Sequence, residues 1–116
     1  MVDPVNEHVN QVILVGRLGG CAPEQTLPSG DLLIRFRVIV ARPVRRSVRP
    51  AVDTVDCAAW TARTRRSLRG WDTGDLIEVT GALHRRFWRP GTGPTASRYE
   101  VEVSGLRRLR RATMAA

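Results

Sequence analysis

The segment GALHRRFWRP (81–90) sets Arg85 and Arg86 against Phe87 and Trp88 with no acid among them. A guanidinium is a planar fork that holds phosphate through two hydrogen bonds and also stacks on flat rings. An indole face accepts any nucleobase by stacking, so it binds without choosing a sequence. All 19 basic residues of the chain are arginine, against 11 acids, for a formal charge of +8, and a polyanion is therefore the expected partner class. A coding sequence rich in G and C would also favour arginine over lysine. It would not decide where the arginines sit.

Other chemistries lack their residues. Cys21 and Cys57 form no CxxC pair and have no His/Cys cluster to complete a zinc site, so neither a metal nor another cofactor is expected. Cys57 lies in the apolar run VDCAAW and has the character of a small buried residue; the spacing leaves a disulfide open. His8 and His84 stand alone, and Asp53, Asp56, Asp72, Asp75 and Glu78 match no metal-binding motif. No nucleophile is set beside a base, and an enzyme is not expected. No apolar run approaches the roughly 20 residues that a bilayer-spanning helix needs. The opening MVDPVNEHVNQ lacks both the basic start and the apolar block of a signal peptide, which points to the cytoplasm.

The elements that must carry the arginines and rings follow from periodicity. NQVILVGRL (10–18), closed by Gly19 and Gly20, is a first strand whose run from Val12 to Val15 is apolar on both faces, as a wall covered by a partner subunit would be. After the turn signal PSGD, LLIRFRVIVAR (32–42) alternates Leu32, Ile34, Phe36, Val38 and Val40 on a core face with Leu33, Arg35, Arg37, Ile39 and Ala41 on the other. RPVRRSVRP (42–50), bounded by prolines, reads as a mobile basic loop. AVDTVDCAAW (51–60) resumes a strand and ends on Trp60, on the side away from Val55, Cys57 and Ala59. TARTRRSLRG (61–70) is a short helix, capped by Thr61 and stopped by Gly70. In LIEVTGALHRRFW (76–88), Arg86 and Trp88 share one face, while Phe87 falls with the apolar set. RPGTGPTAS (89–97) is a flexible hairpin loop, and RYEVEVSGL (98–106) is the last strand, with Tyr99, Val101 and Val103 inward and Glu100 and Glu102 outward.

Strand, strand, strand, helix, strand, strand is the order of the OB-fold: all-β with one short helix, a five-stranded Greek-key barrel that binds oligonucleotides and oligosaccharides. The expected organisation is a flexible tail (1–8), the barrel (9–106) and a basic C-terminal tail (107–116). In order and spacing, NQVILVGRLGGCAPE, PSGDLLIRFRV, VDCAAW, GDLIEVTGALHRRFW and RYEVEV resemble the bacterial single-stranded DNA-binding proteins over roughly residues 10–106. The resemblance implies an OB-fold protomer that pairs through its first strand, assembles as a homotetramer and wraps single-stranded DNA over aromatic platforms. Two family stacking positions land on Trp60 and Trp88; a third falls on Thr54 and a fourth near Arg42 to Val44, neither with a ring. Family members continue into a linker and an acidic, apolar-tipped tail that recruits replication and repair proteins. Here the chain ends LRRLRRATMAA, so that recruitment is not expected.

The expected DNA-binding residues are Trp60 and Trp88 for stacking, and Arg35, Arg37, Arg45, Arg46, Arg49, Arg86 and Arg89 for phosphate. Most tryptophans pack, but the strand parity of these two opposes the apolar set. Trp71, between helix and turn, is expected to pack. Arg35 and Arg37 could instead simply solvate a sheet face, and the loop arginines could be a solvated charge run. The expected function is sequence-tolerant binding and protection of single-stranded DNA in replication, repair or recombination, by a cytoplasmic, nucleoid-associated protein. Two other classes use the same barrel. One is a dimeric adaptor of the replication-restart type; the other is an RNA-binding protein, since no residue here reports the 2′-hydroxyl.

Overall fold

Alternation of apolar and polar side chains makes strands that can bury one face, and closing such strands on themselves removes the exposed edges. The computed structural model describes residues 7–43 and 51–113. It contains β1 (Val12–Cys21), β2 (Gln25–Thr26), β3 (Leu32–Ala41), β4 (Val52–Ala59), α1 (Ala62–Arg69), β5 (Leu76–Trp88) and β6 (Ala96–Arg110). The sheet runs β1-β5-β6-β4-β3, and β1 pairs again with β3 to close a five-stranded barrel. Every neighbouring pair is antiparallel except β4 and β6. This is the OB-fold. The two-residue β2, not anticipated from the sequence, adds to the start of β3.

The core is the apolar face of each strand. Leu18, Ile34, Phe36, Val38, Cys57, Ala59, Ile77, Val79, Val101 and Val103 form one buried cluster, and Leu68 of α1 joins it. Thr61 caps α1 by accepting a hydrogen bond from the Thr64 N–H, as its position predicts. Trp71 is half-buried against the same cluster. On β1, Val12 and Leu14 pack on the core, whereas Ile13 is 60% and Val15 45% exposed on the outside. Among the described residues no helix is long and apolar enough to cross a membrane, and both cysteines are free.

Two strands are longer than their sequence suggests. β1 does not stop at Gly19 and Gly20 but crosses them in a bulge: its partners step from Leu18↔Val38 to Cys21↔Phe36, three residues against two. β6 continues past Leu106, because Arg107, Arg108 and Arg110 stay in register with Glu78, Ile77 and Leu76. The basic run through Arg110 is therefore barrel wall. Where β5 and β6 cross most closely only glycine fits, since a Cβ on Gly81 would collide with the Glu102 carbonyl.

Asp75 fastens that extended end. Buried in the turn before β5, its carboxylate accepts hydrogen bonds from the Asp72 N–H (2.9 Å) and the Ala112 N–H (2.7 Å), with the Arg108 guanidinium at 3.5 Å. The two backbone donors hold its carboxyl below the ordinary carboxylate range, and Arg108 adds to them against the opposing effect of burial. A carboxyl depressed in the folded state stabilises at pH above its unfolded value of about 3.9 and loses that contribution as the pH falls through the folded value. Asp75→Asn is thus expected to lower the melting temperature by several degrees at pH 7. Melting curves should show the gap to the parent protein narrowing below about pH 4; a gap independent of pH would mean that the charge of Asp75 does not matter.

Candidate functional site

β5 and β6 outrun the barrel. β4 accompanies β6 only at Cys57↔Val101, Ala58↔Glu102 and Ala59↔Val103, yet the β5–β6 ladder goes on to Trp88↔Ala96. Residues opposite each other in an antiparallel pair share a face. One face of this two-stranded arm therefore carries His84 with Glu100, Arg86 with Arg98, and Trp88 with Ala96. The other carries Arg85 with Tyr99 and Phe87 with Ser97.

The first face adjoins the outer face of β3 and β4, where Arg35 lies opposite Ala58 and Arg37 opposite Asp56. Trp88 is 45% exposed, with the Arg98 guanidinium 5.5 Å from its ring centroid. Trp60, just past the end of β4, is half-buried, and the Arg86 guanidinium lies 5.8 Å from its ring centroid. Arg86 also reaches Glu100 at 3.2 Å, and Arg35 sits 3.8 Å from the other oxygen of that carboxylate. Arg35 donates to Gln25 of β2 at 3.2 Å. Two clefts open here. One of about 340 Å³ is lined by Arg35, Arg37, Asp56, Arg98 and Glu100 among others, and one of about 280 Å³ by Gln25, Arg35, Arg86, Trp88 and Arg98 among others.

Burial lowers the Arg35 pKa first, and repulsion from Arg86 and Arg98 lowers it further, with Glu100 pulling the other way. Arg37 pairs with Asp56 at 3.4 Å, but both side chains remain exposed and the pair is open to exchange. Cys57 lines the larger cleft; burial, then Asp56 and Glu100, push its thiol up to about 12, so it stays protonated and unreactive at neutral pH.

Of the expected site residues, Trp60, Trp88, Arg35, Arg37 and Arg86 come together on this face, and Arg89 is exposed one residue beyond β5. Arg45, Arg46 and Arg49 lie outside the described residues. Several orientations differ from the parity reading: Leu33, expected on the face away from the core, is fully buried, and Phe87, expected with the apolar set, is 63% exposed. Tyr99, expected inward, is 57% exposed, because it belongs to the arm, where no third strand covers the inner face. Glu100, expected outward, is 3% exposed, with the guanidinium groups of Arg35 and Arg86 against its carboxylate. On the far side of the arm the Arg85 guanidinium lies between the Phe87 and Tyr99 rings, 5.0 and 5.4 Å from their centroids. Arg98 was missed altogether. Counting the hairpin register back from the loop, which sets it opposite Arg86, is the signal that would have found it.

A family model described as the single-strand binding protein family matches residues 9–109. Among solved structures, the chain is similar to that of a Plasmodium falciparum SSB complex with ssDNA, at 20% identity over 88% of this chain and 96% of that one, with a TM-score of 0.74. At that identity the likeness speaks for the barrel alone. Comparison with curated proteins gives no match.

Proposed function

The chain belongs to the single-strand binding protein family, and we propose that it binds and protects single-stranded DNA, without sequence choice, during replication, repair or recombination. The observation that carries this reading is the exposed Trp88 ring with Arg98 beside it, on the same face as Trp60 and Arg86. Bases stack on Trp60 and Trp88, at about 1–3 kcal/mol each by alanine substitution. Arg35, Arg37, Arg86, Arg89 and Arg98 meet the phosphates, joined by Arg45, Arg46 and Arg49 from the segment between β3 and β4. Stacking supplies affinity that tolerates any base. Phosphate contacts supply affinity that salt removes, because each one releases condensed counterions. The protein acts by binding rather than by catalysis, in the cytoplasm at the nucleoid.

The working unit of the proposal is a homotetramer in which β1 pairs with its copy. Supporting it, Ile13 and Val15 present exposed β-branched side chains on the outer face of a strand whose inner face already packs on the core. Covering them removes apolar surface from water at roughly 25 cal/mol per Å².

Titration of the tryptophan fluorescence with oligo(dT) at two salt concentrations is expected to give strong quenching that weakens as salt is added. Trp88→Ala should lower the affinity roughly 5- to 150-fold, the equivalent of one lost stack, and Trp71→Ala should lower stability with much less effect on binding. Absence of quenching even at low salt would end the proposal, and equal losses of affinity would mean that packing has been mistaken for recognition. Competition between matched oligo(dT) and oligo(U) should favour the DNA. In sedimentation the protein should run as a tetramer and Ile13→Glu as a smaller species; a stable dimer with weak DNA binding would favour an adaptor instead.

A further inference from the structure

A carboxylate among guanidiniums is an unusual thing to bury at a surface meant for a polyanion. The Glu100 side chain is 3% exposed. One of its oxygens is bonded to Arg86 at 3.2 Å. The other faces Arg35 Nε at 3.8 Å, too far for a hydrogen bond, and among the described residues neither of those two atoms has a partner. Arg98 lines the same cleft as Glu100 and Arg35, and with Asp56 beside Arg37 this cleft holds two acids and three arginines. Bringing Arg35, Arg86 and Arg98 together costs mutual repulsion, and an internal negative charge offsets it.

Resting on the single-strand-binding reading above, we propose that Glu100 is a resident counter-anion: it gathers Arg35 and Arg86 in the unbound protein, and DNA phosphate must draw them away from it. Arg35 is suited to that exchange. Its Nε–H is buried and makes no hydrogen bond, and the side chain lines both clefts, so turning the guanidinium toward a phosphate oxygen in either one breaks no hydrogen bond at Nε. The carboxylate has a second effect. Charge neutralised by Glu100 is charge that no salt ion needs to neutralise, so binding there releases fewer counterions and the affinity depends less on salt. Glu100 touches no DNA in this proposal. It is a positioning residue that sets how strongly the arginines around it compete for phosphate.

The test is the slope of log affinity for oligo(dT) against log salt, for the full chain and its variants, with melting curves to confirm folding. Glu100→Gln keeps the shape and removes the charge. It is expected to steepen the slope by about 0.7, the equivalent of one more phosphate neutralised on a single strand, and to bind about eightfold tighter at 50 mM than the parent if the two lines meet near 1 M. Glu100→Asp keeps the charge and should return the parent slope. If the glutamine variant does not fold, Glu100→Thr, a β-branched residue suited to a strand, removes the same charge and should steepen the slope likewise. A folded neutral variant with an unchanged slope, whether or not its binding is weaker, would overturn the proposal and leave Glu100 a structural residue only. Failure of the parent protein to bind oligo(dT) would instead count against the function from which the proposal starts.

Discussion

Two strands longer than the barrel they help to close are the constraint on which the rest depends. Inside the barrel a strand has one dry face, and its side chains are decided by packing. Once β5 and β6 pass the end of β4, both faces of their ribbon are wet, and aromatic rings can be held on a regular frame without being sealed into a core. Main-chain pairing up to Trp88↔Ala96 fixes where each ring stands, while solvent keeps its face available. The Gly81 crossing, the closed β1–β3 seam and the Asp75 anchor at the far end serve that ladder. Rigid elements hold a binding surface more closely than loops do.

Charge is arranged with the same economy. Several arginines are answered by carboxylates across neighbouring strands or loops: Arg37 by Asp56, Arg107 by Glu78, Arg42 by Asp53, and both Arg65 and Arg69 by Glu24. Most of these pairs are exposed and contribute little to stability. They matter because they decide where the surplus positive charge collects. One place where it collects is the arm, where residues 84–99 contain Arg85, Arg86, Arg89 and Arg98 and no acid. Among the described residues the only carboxylate within reach of Arg86 there is Glu100, and it is buried. The single-strand binding protein family, to which the chain belongs, suits a surface of this kind: flat rings for bases, and guanidiniums for the backbone that joins them.

Much of this was legible in the sequence where one physical rule governs a strand. Along β3 from Ile34 onward, burial of Ile34, Phe36 and Val38 against exposure of Arg37 and Ile39 follows the two-residue period directly. The order of strands and the capped helix were equally plain, since turns and caps carry local signals. What could not be read was how far each strand has neighbours. Tyr99 has core parity but no third strand over it, and Glu100 has surface parity but two long arginines across it. Parity names a face; only tertiary pairing decides whether that face is dry. Arg98 was lost for the same reason, because its importance comes from a cross-strand neighbour and not from its own surroundings in the chain.

The most direct test of the central claim is a residue-by-residue report of which indoles meet DNA. Fluorine NMR of the protein carrying 5-fluorotryptophan, assigned by single Trp→Phe substitutions and titrated with oligo(dT), provides it through three resonances, one for each tryptophan. Trp88 and Trp60 should shift strongly on binding, Trp88 the more because its ring is open to solvent, while Trp71 stays in place against the core. A shift confined to Trp71, or no shift at Trp88 in a protein that demonstrably binds, would contradict the account.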